Sequence, residues 1–234
     1  MSTSRAVHRI TDEASLRELI GGSPTDTVAS KIADHVNAVT RRFIEASPFV
    51  CVATARPGSA VDGGALDSRG GLDGGGLDGG GLDVSPRGDP PGFVRVLDER
   101  TLFLPDRPGN RIADTLTNLL QDDRIALLFL IPGVGDTFRV NGRAIITDDE
   151  ELLAGSAVDG RVPSLGLLVT VEEAYTQCPK ALIRSALWDP SRHVERSSLP
   201  SSGEVLRSVR SGEFDAETYD RERAERYARG DGLY

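Results

Sequence analysis

Apolar residues near the N-terminus recur at the spacing of a helix. Five of them are separated by three or four residues, which places them on one helical face. They are Val28, Ile32, Val36, Val39 and Phe43. We therefore expect one helix that Asp26 caps and that ends before Pro48. A shorter helix is expected upstream, near Glu13 to Ile20.

Strand patterns dominate the middle of the chain. Segments rich in Val, Phe, Ile and Leu are typical of strands, and they are bounded by Gly, Pro or Asp. They lie at residues 49–55, 93–97, 101–104, 124–131 and 165–171. Residues 124–131 are continuously apolar, which predicts burial on both faces.

A further strand is indicated by strict alternation. Phe138, Val140, Ala144 and Ile146 alternate with polar residues, which is the period of a half-buried strand. This strand and residues 124–131 are separated by a glycine-rich turn, so they predict a long antiparallel hairpin. Further helices are expected at residues 111–121 and 179–187.

These elements predict a mainly β, α+β fold. Six or seven strands meet mostly in hairpins, which favours an antiparallel barrel with packed helices over an alternating βαβ sheet. We expect a flexible arm at residues 1–25, a barrel domain at 26–192 and a charged, partly helical tail at 193–234.

A glycine-rich insertion interrupts the barrel domain at residues 57–81. It contains Gly-Gly-Gly-Leu-Asp units with a five-residue period, and we expect a mobile hairpin loop because such tracts bury little surface. The recurring Asp73, Asp78 and Asp83 allow calcium binding as an alternative, although calcium β-roll repeats have a nine-residue period. No metal site is predicted.

Charge and composition limit the classes of partner that the protein is expected to bind. The net charge of −9 disfavours binding to nucleic acid. Residues 125–131 form the longest apolar run, too short to span a bilayer, and Met1 to Ile10 lack the apolar core of a signal peptide. Cys51 and Cys178 are expected to be buried small hydrophobes. We expect a cytoplasmic protein without membrane partners.

Two cationic segments could bind an anion. Ser85 and Arg87 would point to the same side if their segment is extended, although its prolines and glycines also suit a turn. In the second segment, Asn110 could cap the helix at 111–121 and place Arg111 in its first turn. A phosphate there would relieve the unfavourable position of a cation near a helix N-terminus. A solvated arginine near Asp114 is the alternative.

A third cluster is expected on the helix at 179–187. Lys180, Arg184 and Trp188 are spaced four residues apart, so a continuous helix would place them on one face. That face suits a flat ring that carries anionic groups. A surface stripe with Trp188 packed on the core is the alternative.

Four stretches of the sequence resemble the core of the pyridoxamine 5′-phosphate oxidase-like flavoproteins, in an actinobacterial-type branch. They read DVSPRGDPPGFVRV, RTLFLPDRPGNRIADTLTNLLQD, RIALLFLIPGVGDTFRVNGRAII and YTQCPKALIRSALW. The chain lacks the R-x-V-L-L-K strand motif of the true oxidases, so the resemblance does not extend to vitamin B6 oxidation. It implies a split β-barrel that forms a homodimer with two FMN sites at the subunit interface.

The resemblance also implies which residues bind FMN. Ser85, Arg87, Asn110 and Arg111 match the positions that bind its phosphate, and the partner subunit would contribute Lys180, Arg184 and Trp188. We expect an oxidoreductase acting on an unknown small molecule. The alternatives are a non-catalytic module that stores flavin or haem and a deazaflavin-dependent reductase, because the fold alone does not determine the activity.

Overall fold

The computed structural model describes residues 8–56 and 80–234. Nearly all of the predicted glycine-rich loop, with Asp73 and Asp78, lies outside the described residues. The chain divides into two compact units, Met1–Ile32 and Ala33–Tyr234.

The described residues of the first unit form two helices, α1 (Glu13–Ile20) and α2 (Asp26–Ala29). The α1 helix has the predicted bounds, and the Asp12 side chain caps it by accepting the N–H of Ser15.

The described residues of the second unit form seven strands and six α-helices. The strands are β1 (Phe49–Arg56), β2 (Gly81–Gly88), β3 (Arg95–Asp98), β4 (Thr101–Pro105), β5 (Arg124–Leu130), β6 (Thr137–Thr147) and β7 (Gly166–Gln177). The helices are α3 (Arg41–Ala46), α4 (Asp114–Leu119), α5 (Glu150–Ala154), α6 (Lys180–Ser185), α7 (Ser202–Val209) and α8 (Ala216–Ala228). Short 3₁₀ turns at Pro190–Arg192 and Arg196–Ser198 link α6 to α7.

All seven strands belong to one antiparallel sheet. Their order is β2-β1-β5-β6-β7-β4-β3, and every neighbouring pair is antiparallel. The sheet and its flanking helices confirm the predicted α+β split barrel. The hairpin of β5 and β6 is the one that the alternating pattern predicts.

The core is built from one face of each central strand. Leu127 of β5 lies opposite Val140 of β6, and Phe129 lies opposite Phe138; all four are buried. Phe43 of α3 stacks on Phe138 with a centroid distance of 5.6 Å. The predicted burial of both faces of β5 is wrong, because the alternate residues are only partly buried.

The single helix predicted from Val28 to Phe43 is also wrong. Its backbone groups bond to other elements instead: Ala33 pairs with Ala174 of β7, and the Val36 N–H donates to the Glu99 carbonyl in the turn between β3 and β4. The Asn37 side chain then accepts the N–H groups of Val39 and Thr40, which forms a turn before α3. The apolar spacing therefore matches a helix by coincidence.

Two further expectations concern burial and membranes. Cys51 is partly buried, but Cys178 is exposed, so its predicted burial is wrong. Among the described residues, no helix has both the length and the apolarity needed to cross a membrane.

The charged tail folds into the helix pair α7 and α8, which agrees with the predicted helical content. Ser201 and Glu204 form a reciprocal capping box at the start of α7. The two helices approach closely at Gly203, where a Cβ atom would lie 2.4 Å from the Ala216 carbonyl oxygen.

Gly142 provides a test of the sheet. It follows the register shift in β6, and a Cβ atom there would lie 1.9 Å from the backbone carbonyl oxygen of Thr170. Because the backbone of β7 would have to move, Gly142→Ala should lower the free energy of unfolding by about 3 kcal/mol in urea titrations. Gly109 has open space around it and is the matched control. Equal losses for Gly142→Ala and Gly109→Ala would contradict this account.

Candidate functional site

The first candidate segment is a strand rather than a turn. Strand β2 pairs with β1 along its whole length, from Gly81 opposite Arg56 to Gly88 opposite Phe49. Pro86 is tolerated because β2 is an edge strand of the sheet. The extended geometry confirms that Ser85 and Arg87 point to one side, here the partly buried inner side.

Helix α4 is attached to the start of this inner side. Asn118 Nδ2 donates to Asp83 Oδ2 at 2.8 Å and to Thr54 Oγ1 at 3.0 Å. The Arg56 guanidinium lies 3.8 Å from the same aspartate. Asp83, which the sequence pattern assigns to the glycine-rich repeat, therefore orients α4 against β1 and β2.

An ion pair links the other end of β2 to the segment after β4. Arg87 Nε lies 3.7 Å from Asp106 Oδ1, and the two side chains are 23% and 26% exposed. Burial raises the pKa of Asp106, and the neighbouring Arg87 guanidinium opposes that rise. Arg87 is thus held by the Asp106 carboxylate, and the burial of that carboxylate disfavours its charged form.

The second candidate segment differs from its prediction. Helix α4 begins at Asp114, so Arg111 precedes the helix instead of occupying its first turn. Asn110 does not cap α4, because its side chain accepts the N–H of Ile112 at 3.0 Å within the segment itself. Arg111 and Ala113 have φ angles of 64° and 62°, in the left-handed region.

The short α4 also changes which residues face the core. Ile112 and Leu120 are 61% and 76% exposed, whereas Leu119 is buried. The left-handed backbone at Ala113 stops the helix from extending toward Arg111, and nothing in the residue types of this segment signals it.

A second ion pair fixes the same segment. Arg107 Nε donates to Asp89 Oδ2 at 2.6 Å, and the two side chains are 14% and 1% exposed. Arg107 Nη2 also donates to the Ser156 carbonyl at 2.9 Å, and the Tyr234 hydroxyl donates to Asp89 Oδ1 at 2.7 Å. The sequence motifs contain Asp89 and Arg107 but do not indicate that they pair, and no motif includes Tyr234.

The third cluster is divided by the end of α6. Ala186 has a φ of 49° and terminates the helix after Ser185, so Lys180 and Arg184 share a helical face that Trp188 does not extend. Trp188 Nε1 instead donates to the Val134 carbonyl at 2.8 Å, in the turn between β5 and β6. Within one chain, no described hydrogen bond or ion pair joins these three residues to Ser85 or Arg87.

The four candidate phosphate residues carry hydrogen-bond donors. Ser85 and Arg87 on β2, with Asn110 and Arg111 between β4 and α4, offer hydroxyl, amide and guanidinium groups. Within residues 8–56 and 80–234, no group of three or more His, Cys, Asp or Glu side chains could hold a metal ion.

Several solved structures are similar to this chain at low sequence identity. The HupZ protein of Group A Streptococcus is 16% identical, with a TM-score of 0.43, over 61% of this chain and 94% of that one. General stress protein 26 from Bacillus anthracis is 12% identical, with a TM-score of 0.35, over 58% and 88%. A related protein of the pyridoxinephosphate oxidase family from Clostridium acetobutylicum is 13% identical, with a TM-score of 0.36, over 62% and 94%.

Sequence comparison gives the family directly. No curated protein sequence matches the chain. The sequence model of the pyridoxamine 5′-phosphate oxidase family matches residues 36–178, which is more than half of the chain and contains all seven strands. The chain therefore belongs to the pyridoxamine 5′-phosphate oxidase family.

Proposed function

We propose that the protein binds FMN and uses it in an oxidoreductase reaction on a small molecule. Members of this family usually bind flavin. The observation that carries the proposal is the placement of Ser85 and Arg87 on one partly buried face of β2, beside the segment with Asn110 and Arg111. These four residues would hold the phosphate group.

The position of Ser85 supports this assignment. Asp83 contacts Asn118 of α4, and Arg87 contacts Asp106, so the segment 106–118 meets the inner side of β2 on both sides of Ser85. Within the described part of the chain, the Ser85 hydroxyl makes no hydrogen bond with another residue. A serine hydroxyl at this position can donate to an oxygen-rich ligand.

A buried hydroxyl on α4 fits the same ligand. Thr115 lies three residues before Asn118, so both side chains point toward β1 and β2. Thr115 is buried, and its Oγ1 has no partner among the described residues. A polar ligand beside α4 would supply a partner for a group that is costly to bury alone.

Backbone strain in residues 106–113, the phosphate segment, also supports a binding role. Left-handed backbone at a residue other than glycine costs about 1–3 kcal/mol and is concentrated at functional sites. Arg111 and Ala113 both adopt it. The strained segment presents the Arg111 side chain at the surface, where a phosphate can reach it.

The outer face of β2 supports the proposed homodimer. Leu82 and Val84 are 80% and 65% exposed, and they lie beside Ala55 and Ala53 of β1. A second copy would cover this apolar surface. In the proposed dimer, the partner subunit contributes Lys180, Arg184 and Trp188 to the flavin site.

FMN and the protein would have different roles in the reaction. FMN, when bound, supplies the hydride or electron chemistry, whereas the protein binds and orients it. The residues named here bind the phosphate, and none of them is assigned a chemical role toward the substrate.

Binding and turnover are tested separately. Titration of purified protein with FMN and riboflavin should show that FMN binds at least about tenfold more tightly, because charge-assisted hydrogen bonds to phosphate contribute about 1.5–3 kcal/mol each. Equal affinities would contradict the phosphate site.

Oxidation of NAD(P)H with an electron acceptor separates an enzyme from a storage module. Titrations with haem and with a deazaflavin test the other two ligands.

Arg111 gives a prediction that separates strain from binding. Arg111→Gly relieves the left-handed backbone and should raise the stability of the flavin-free protein by about 1 kcal/mol, measured by thermal unfolding. The same variant should weaken FMN binding by about one to two decades, because it loses a charge-assisted hydrogen bond.

Arg111→Ala is the matched control for this prediction. It loses the guanidinium but keeps the strain, so its FMN affinity should fall as far without a gain in stability. Wild-type FMN affinity in both variants would rule out a phosphate role for Arg111.

A substitution at Asp106 is predicted to strengthen FMN binding, in contrast to the substitutions at Arg111. Its carboxylate competes with phosphate for Arg87, so Asp106→Asn should strengthen FMN binding by about three- to tenfold, from Coulomb interactions over several ångströms in a partly exposed site. Isothermal titration at low salt measures the change, and the uncharged flavin riboflavin is the control ligand. A loss of FMN affinity would indicate that Asp106 orients Arg87 for binding.

A further inference from the structure

We propose that Tyr234 is a positioning residue for the phosphate segment, acting through Asp89 and Arg107. This inference rests on the proposed FMN site and extends it to the tail. The tail lies outside residues 36–178, the part of the chain that the family model matches.

Tyr234 is held by three separate contacts. Its hydroxyl donates to Asp89 Oδ1 at 2.7 Å, and its ring lies 5.4 Å from the Arg107 guanidinium carbon. Its backbone oxygen accepts a hydrogen bond from Arg161 Nη1 at 3.1 Å. Side chain and backbone are therefore both fixed at the barrel.

Asp89 transmits this contact to β2. It directly follows β2, and its N–H donates to the Pro48 carbonyl at 3.1 Å. Its carboxylate is almost completely buried, with one oxygen bonded to Tyr234 and the other to Arg107. Loss of the Tyr234 hydroxyl would leave one oxygen of a buried carboxylate without that partner, which is unfavourable.

Arg107 connects Asp89 to the phosphate segment. It lies next to Asp106, the partner of Arg87, and only a few residues before Asn110 and Arg111. The intervening Pro108 restricts the backbone, so the position of Arg107 limits where Asn110 and Arg111 can lie. The ion pair with Asp89 thus sets the distance between the two halves of the phosphate site.

The hydroxyl of Tyr234 is protonated at neutral pH and can therefore donate a hydrogen bond. Donation to the Asp89 carboxylate raises the pKa of Tyr234 above its usual value of 10.0. A raised pKa means that the contribution to stability is complete below about pH 10 and is lost as the pH rises through the folded-state pKa. Binding measured near neutral pH therefore reports on the intact contact.

The test compares two flavins on the full-length protein. Tyr234→Phe removes only the hydroxyl and should weaken FMN binding by about three- to tenfold, the loss expected for one hydrogen bond to a charged group acting indirectly. Riboflavin, which lacks the phosphate, should bind as it does to the wild type. Tyr227→Phe is the control, since Tyr227 is an exposed tyrosine of α8.

A double variant tests the route of the effect. In an Arg111→Ala background, Tyr234→Phe should change FMN affinity by less than it does in the wild type, because the two residues act through one contact. Equal losses for FMN and riboflavin, or an unchanged FMN affinity in Tyr234→Phe, would overturn the positioning role.

Hydrogen exchange separates this proposal from the proposed function. In flavin-free protein, Tyr234→Phe should accelerate exchange at residues 106–113, and Tyr227→Phe should not. If the wild type bound no FMN but exchange still accelerated, the FMN assignment would fail while the link between Tyr234 and the segment stood. Unchanged exchange would overturn that link even if FMN bound tightly.

Discussion

The buried ion pair between Asp89 and Arg107 determines how the two ends of the candidate site meet. Asp89 follows β2 and Arg107 follows β4, two strands that are far apart in the sheet order. Removing one partner of a buried ion pair typically costs about 3–5 kcal/mol, because the remaining charge is left without compensation. The pair therefore fixes the geometry of this region whatever its net contribution to stability.

Around this pair, the site balances opposite charges. Arg87 is neutralised in part by Asp106, and Asp83 holds Arg56 and Asn118 on the same face of β2. The chain as a whole carries a net charge of −9. In the proposed site, a phosphate would therefore be attracted by a few local arginines, among which Arg111 is exposed on a strained segment. If FMN binds there, the strain and the charge competition are costs in stability that accompany the binding function.

The sequence predicted the strands better than the helices, for physical reasons. Alternation in β6 depends only on which face is buried, so the pattern of Phe138 and Val140 was sufficient to place it. Helix ends depend on single backbone angles, and the left-handed residues Ala113 and Ala186 are alanines, which do not signal them. The predicted alignment of Trp188 with Lys180 and Arg184 failed for that reason. Pairings across long distances, such as Asp89 with Arg107, are set by the three-dimensional arrangement of β2 and β4 and cannot be read from local spacing.

A crystal structure of the FMN complex tests the central claim most directly. The account predicts the phosphate within hydrogen-bond distance of the Arg87 and Arg111 guanidinium groups, next to the Ser85 hydroxyl on the inner side of β2. It would be contradicted by a phosphate bound elsewhere on the barrel while Arg87 remained paired with Asp106.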